Sequence, residues 1–99
     1  MAVTIEDMRA WGRIDEGDER DAEMALMSAV ATFEKAGVTS AMADDPDYVM
    51  GVCMLAVYRY DNRAAAASGA MNAIPYGVRD IILQLRYDPR NKAAMGKGV

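Results

Sequence analysis

The sequence predicts an all-α fold: a small bundle of about four helices around one central apolar helix, with a flexible loop and a C-terminal tail. Three observations carry this. Residues 48–63, YVMGVCMLAVYRYDNR, are apolar almost continuously up to Arg59. Within them Val49, Val52, Cys53, Ala56 and Tyr60 follow the i, i+3, i+4, i+7, i+11 spacing of one helix face. Tyr48, Met50, Met54, Leu55, Val57 and Tyr58 cover much of the remaining surface. A helix apolar nearly all round is buried on several sides, so neighbouring helices or other subunits must cover it. Helical spacing also recurs in two further stretches, on either side of this one. Finally, no stretch alternates with the two-residue period of a half-buried strand, although 70–75 is open to an extended reading.

The elements follow in order. Thr4 suits the cap of a short first helix, with Asp7 in the capping-box position usually held by Glu or Gln. Ile5 and Met8 share its inner face, Trp11 lies close to it, and Gly12 ends it. The acidic run Asp15, Glu16, Asp18, Glu19 places a cap at Asp15 or Asp18 and favours the helix dipole of a second helix over Glu19–Lys35. Ala22, Leu26, Ala29, Val30 and Phe33 form its apolar stripe, widened by Met24, Met27 and Ala31; Asp21, Ser28, Thr32 and Lys35 look outward. Gly37 is placed as the C-terminal cap. A short connection over 38–44 leads to Asp45, the cap of the central helix, and Pro46, whose missing N–H costs nothing at a first helical position. Four alanines, 64–67, are able to extend the central helix until Gly69 releases the chain. Ile74-Pro75-Tyr76-Gly77 reads as a turn, because the residue before proline is pushed out of the helical region. Residues 78–86 form a last helix on Val78, Ile81, Ile82 and Leu85, stopped by Asp88-Pro89. The domain therefore spans 1–88, and 89–99 is read as a flexible basic tail.

Composition limits the function classes. The 99 residues fit one domain, and 53% apolar content excludes disorder throughout. The charge is uneven: residues 1–58 hold four basic and twelve acidic side chains, a net −8, while 59–99 hold seven basic and three acidic, a net +4. Such a chain is able to pair head to tail with its own copies; ordinary surface charge is the plainer reading. The apolar run of the central helix is shorter than the ~20 residues a bilayer requires, and no signal peptide or membrane partner is expected.

The chemistry-bearing residues are sparse. The chain has no histidine, the commonest general acid–base residue and metal ligand. The one cysteine, Cys53, reads as a small core residue and cannot build a zinc site. No phosphate-binding glycine loop is present, and the acidic run lacks the alternating oxygen ligands of a calcium loop. We expect no enzyme, no cofactor and no metal. Of the nine methionines, Met24, Met27, Met50 and Met54 are read as core filling. Arg59 and Arg63, four apart, share a helix face. Overall acidity argues against a dedicated DNA binder. Taken alone, these readings give a small helical interaction domain.

The order of signals resembles the small head–tail connector (adaptor) proteins of tailed bacteriophages and prophages. The likeness starts at Met8-Arg9-Ala10-Trp11-Gly12-Arg13-Ile14-Asp15, followed by Asp18-Glu19 and the amphipathic helix of Ala22, Leu26, Ala29 and Phe33. The long apolar helix ends in Tyr58-Arg59-Tyr60-Asp61-Asn62-Arg63. A small-residue loop leads to Ile74-Pro75-Tyr76-Gly77-Val78-Arg79 and on to Ile82-Leu83-Gln84-Leu85-Arg86-Tyr87. The likeness covers 4–87. The connection 38–44 departs from it, being shorter than the polar segment many members carry there.

The resemblance implies a structural subunit without catalysis. About twelve copies form a ring beneath the portal protein, continue the channel through which genomic DNA passes, and receive a stopper or tail-completion protein. The location implied is the head–tail junction of the virion, with the host cytoplasm during assembly. Arg59, Arg63, Ser68, Gly69, Met71 and Asn72 become candidates for subunit contacts or channel lining, and Arg90, Lys92 and Lys97 for portal docking. The other reading is a helical regulatory or nucleic-acid-binding module, a monomer or dimer whose DNA affinity falls steeply with salt.

Overall fold

The computed structural model describes residues 3–62 and 74–96. Among these there are five α-helices and no strand: α1 Ile5–Arg9, α2 Glu19–Lys35, α3 Pro46–Asp61, α4 Tyr76–Arg86 and α5 Pro89–Gly96. A single 3₁₀ turn, Ser40–Met42, lies between α2 and α3. The all-α bundle expected from the sequence is what the chain forms.

The helix starts have local causes. Thr4 Oγ1 accepts the Asp7 N–H at 3.2 Å, and Asp7 Oδ2 accepts the Thr4 N–H at 2.9 Å, so aspartate completes the capping box in place of glutamate. Asp45 Oδ1 accepts the Asp47 N–H at 2.8 Å, with Pro46 behind it. Helix α2 ends where Gly37 takes φ +94°, and the Val38 N–H reaches back to the Phe33 carbonyl at 2.9 Å. A side chain with a Cβ would be strained at that φ.

Helix α3 is the centre. Its Tyr48, Gly51, Val52, Cys53, Leu55, Ala56 and Tyr60 are buried. Helix α2 packs on one side through Ala22, Leu26, Ala29 and Phe33, and α4 on another through Val78, Ile82 and Leu85. Gly51 marks where the three meet: a Cβ built there would stand 2.8 Å from Ile81 Cγ2 and 2.9 Å from Phe33 Cζ. The missing side chain lets α2 and α4 close on α3. The Phe33 and Tyr48 rings meet edge to face at 5.5 Å between centroids, a favourable aromatic geometry. Met8 from α1 and Val38 and Met42 from the connection complete the core.

Three sequence expectations change. Helix α4 begins at Tyr76, so Tyr76 and Gly77 form its first turn, and only Ile74 and Pro75 stay outside it. The basic tail is not a tail over 89–96, because Pro89–Gly96 is helical. Asp88-Pro89 repeats the start signal of Asp45-Pro46: Asp88 Oδ1 accepts the Arg90 N–H at 2.8 Å, and proline occupies the first helical position. The pair ends α4 and opens α5. Met24 and Met27 do not fill the core; they are 63% and 67% exposed. The alanine run 64–67 and residues 97–99 lie outside the described residues.

Candidate interaction surface

The sequence-derived candidates fall into three groups. Arg63, Ser68, Gly69, Met71, Asn72 and Lys97 lie outside the described residues. Arg59 is turned onto its own chain: Nη1 donates to Ser28 Oγ and Thr32 Oγ1, both at 2.7 Å, and to the Ser28 carbonyl at 3.1 Å. It ties the last turns of α3 to the middle of α2, and partial burial lowers its guanidinium pKa from the ordinary value. Ser28 and Thr32, expected simply to look outward, receive it.

Arg90 and Lys92 both lie on α5. Arg90 Nη2 pairs with Asp45 Oδ2, and its Nε with Asp88 Oδ1 at 3.1 Å, so one guanidinium joins the capping aspartates of α3 and α5. Hydrogen bonding from Arg90 holds both carboxyls below the usual carboxylate range. Lys92 Nζ stands 5.5 Å from the Tyr87 ring centroid, with Arg86 Cζ at 5.8 Å from the same ring. Arg59 and Arg90 thus serve different pairs of elements.

The acidic run also has structural work. Tyr60, buried at the end of α3, donates its hydroxyl to Asp18 Oδ2 at 2.9 Å and accepts the Asp15 N–H at 3.1 Å. Asp18 flanks α2 yet makes no side-chain cap bond to it. Among the described residues no cluster of three or more potential metal ligands exists. Cys53 is fully buried, and burial pushes its thiol up to about 11, far from a reactive thiolate. No helix among the described residues is long and apolar enough to cross a membrane.

Exposed apolar surface lies in two grooves and on α4. A groove between the N-terminal segment and α2 is floored by Val3, Ile5, Leu26, Met27 and Val30, with Glu6, Glu23 and Glu34 at its edge. A second groove is lined by Trp11, Met54, Val57, Tyr58, Asp61 and Pro75. On α4, Leu83 is 45% exposed and Tyr87, just past its end, 60%. The sequence did carry a signal for the α2 face. Met24, Met27 and Ala31 repeat at i, i+3, i+7, but start two residues after Ala22, roughly half a turn from the buried stripe. Two stripes on opposite faces mean one is covered by the fold and one is left open. Compared with protein-family models, curated proteins and solved structures, the chain matches none.

Proposed function

We propose that this chain is a structural head–tail connector subunit of a tailed phage or prophage. Copies form a ring beneath the portal that continues the DNA channel and receives a stopper or tail-completion protein. The observation that carries the reading is where the two most specific motifs of the resemblance sit. Tyr60, Asp61 and Asn62 of Tyr-Asp-Asn-Arg form the end and C-cap of α3, and Pro-Tyr-Gly-Val-Arg, from Pro75, begins α4. They bracket the small-residue stretch assigned to subunit contacts or the channel, which includes Ser68, Gly69, Met71 and Asn72. The open apolar groove on α1 and α2 supports the same reading, since a small domain with such a face suits repeated contact with partners.

The test is direct binding. The purified chain, mixed with rings of the portal protein from the same phage or prophage, co-sediments with them, and deletion of residues 64–72 abolishes tail joining in an infection assay. Absence of binding to portal rings overturns the reading.

A further inference from the structure

We infer that the groove on α1 and α2 of one copy receives the outer face of α4 of the next, a head-to-tail contact resting on the connector reading above. Each face is apolar in the middle, and the two carry opposite charge at the edge. The groove has Val3, Ile5, Leu26, Met27 and Val30 as its floor and Glu6, Glu23 and Glu34 along its rim; Glu6 is shared with Arg9 at 3.5 Å. The α4 face presents Leu83 and Tyr87, four residues apart on one stripe, with Arg79 a turn before Leu83. Arg86 and Lys92 flank the Tyr87 ring, and Asp80 lies beside Arg79. Tyrosine with arginine around it is the composition that dominates binding energy at protein interfaces.

Charge chooses between the two ways copies can meet. Groove against groove would place Glu6, Glu23 and Glu34 opposite the same acids, which like-charge juxtaposition penalises. Groove against α4 places them opposite Arg79, Arg86 and Lys92, three cations against the single acid Asp80 on that face. This pairing also accounts for the uneven charge of the chain, acidic before residue 59 and basic after it.

Topology permits it. The two faces share no residue: the N-terminal segment, α1 and α2 build the groove, α4 carries the stripe, and α2 and α4 each pack on α3. One copy can therefore use both at once. A contact between two different faces propagates, and it closes into a ring when the rotation per copy allows.

The test uses full-length chain and two substitutions at exposed positions, Met27→Asp in the groove and Leu83→Asp on α4, with helicity checked by circular dichroism. Sedimentation velocity of the wild type shows association beyond the dimer that weakens with added salt. Each variant alone associates at least about tenfold more weakly, as loss of a central contact predicts. An equimolar mixture of the two forms a heterodimer and nothing larger, because only one intact groove and one intact α4 face remain. Glu23→Lys with Glu34→Lys, which keeps the apolar floor, behaves as Met27→Asp does. If the wild type oligomerises while the variants do too, or while the mixture stays monomeric, this pairing is wrong and the connector reading stands. A wild type that stays monomeric throughout also overturns the pairing, and portal binding then decides the connector reading separately.

Discussion

The side-chain oxygen of Asn91 accepts the backbone N–H of Thr39 at 2.7 Å, joining α5 to the connection between α2 and α3. The same oxygen accepts the Thr39 hydroxyl at 3.0 Å, and the Asn91 amide donates to the carbonyls of Gly37 and Arg86 at 2.8 and 3.1 Å. Asn91 is fully buried and serves backbone groups on two separate elements. This residue makes 89–96 part of the domain.

Asn91→Ala leaves the Thr39 N–H and two carbonyls without this partner. We expect a loss of about 2–3 kcal/mol, the cost of stranding buried polar groups, read by urea denaturation. Asn91→Asp keeps the acceptor but aims a carboxylate at two carbonyl oxygens. Its pKa rises in the folded state, so the variant's deficit relative to the wild type is smallest in acid and grows as pH rises through that value. An Asn91→Asp variant whose stability tracks the wild type's at every pH contradicts this.

Gly51→Ala tests the crossing of α2, α3 and α4. The new methyl group meets Ile81 Cγ2 and Phe33 Cζ inside 3 Å. Overpacking costs about 1–3 kcal/mol, against about 1 kcal/mol gained in helix propensity. We expect net destabilisation, partly relieved by adding Ile81→Ala, which removes the Cγ2 methyl group, and not by Ile81→Val, which keeps it. An increase in melting temperature from Gly51→Ala alone would show that the helices move apart at no cost.

The Arg90 pairs give a pH dependence of known sign. Asp45 and Asp88 have folded pKa values below their ordinary 3.8, chiefly through hydrogen bonds from Arg90. Such groups contribute stability that is present above 3.8 and lost as pH falls through the depressed folded values. Removing the guanidinium with Arg90→Ala lowers stability at neutral pH and flattens the acid limb below pH 3.8. Thermal melts across that window on both proteins measure it; identical acid limbs would contradict the assignment.

Cys53 should be inert in the folded chain. Relative to the ordinary thiol value of 9.0, a pKa of about 11 leaves roughly a hundredfold less thiolate at pH 8, and the sulfur is fully buried. Alkylation in native buffer should proceed only as fast as the protein opens, and rapidly once it is denatured. Fast native labelling would mean that α3 is not covered as described.

How much of this could be read in the sequence varies with the kind of signal. Helices α1 and α3 are legible from their capping residues, Thr4 with Asp7 and Asp45 with Pro46, and α2 from apolar spacing alone, since Asp18 makes no side-chain cap bond to it. The start of α5 was hidden because Asp88-Pro89 closes one helix and opens another with the same two residues. Asn91 gave no warning, since a polar side chain becomes buried only through partners such as Thr39, Gly37 and Arg86 that are distant in sequence or on another element. Met24 and Met27 look like core residues by apolar content, but they lie on the face of α2 away from Ala22, Leu26, Ala29 and Phe33 and are exposed. Tyr60 was assigned to the core, but its polar end, which binds Asp15 and Asp18, depends on a long-range contact that spacing does not encode.

The central claim is that the chain is a ring-forming connector. Native mass spectrometry over a concentration series, with negative-stain images of the same sample, tests it most directly. The account predicts concentration-dependent assembly toward a closed species of about twelve subunits with a central hole, as an unlike-face contact produces on closure. A chain that stays monomeric or stops at a dimer, and that also fails to bind portal rings when mixed with them, would contradict it.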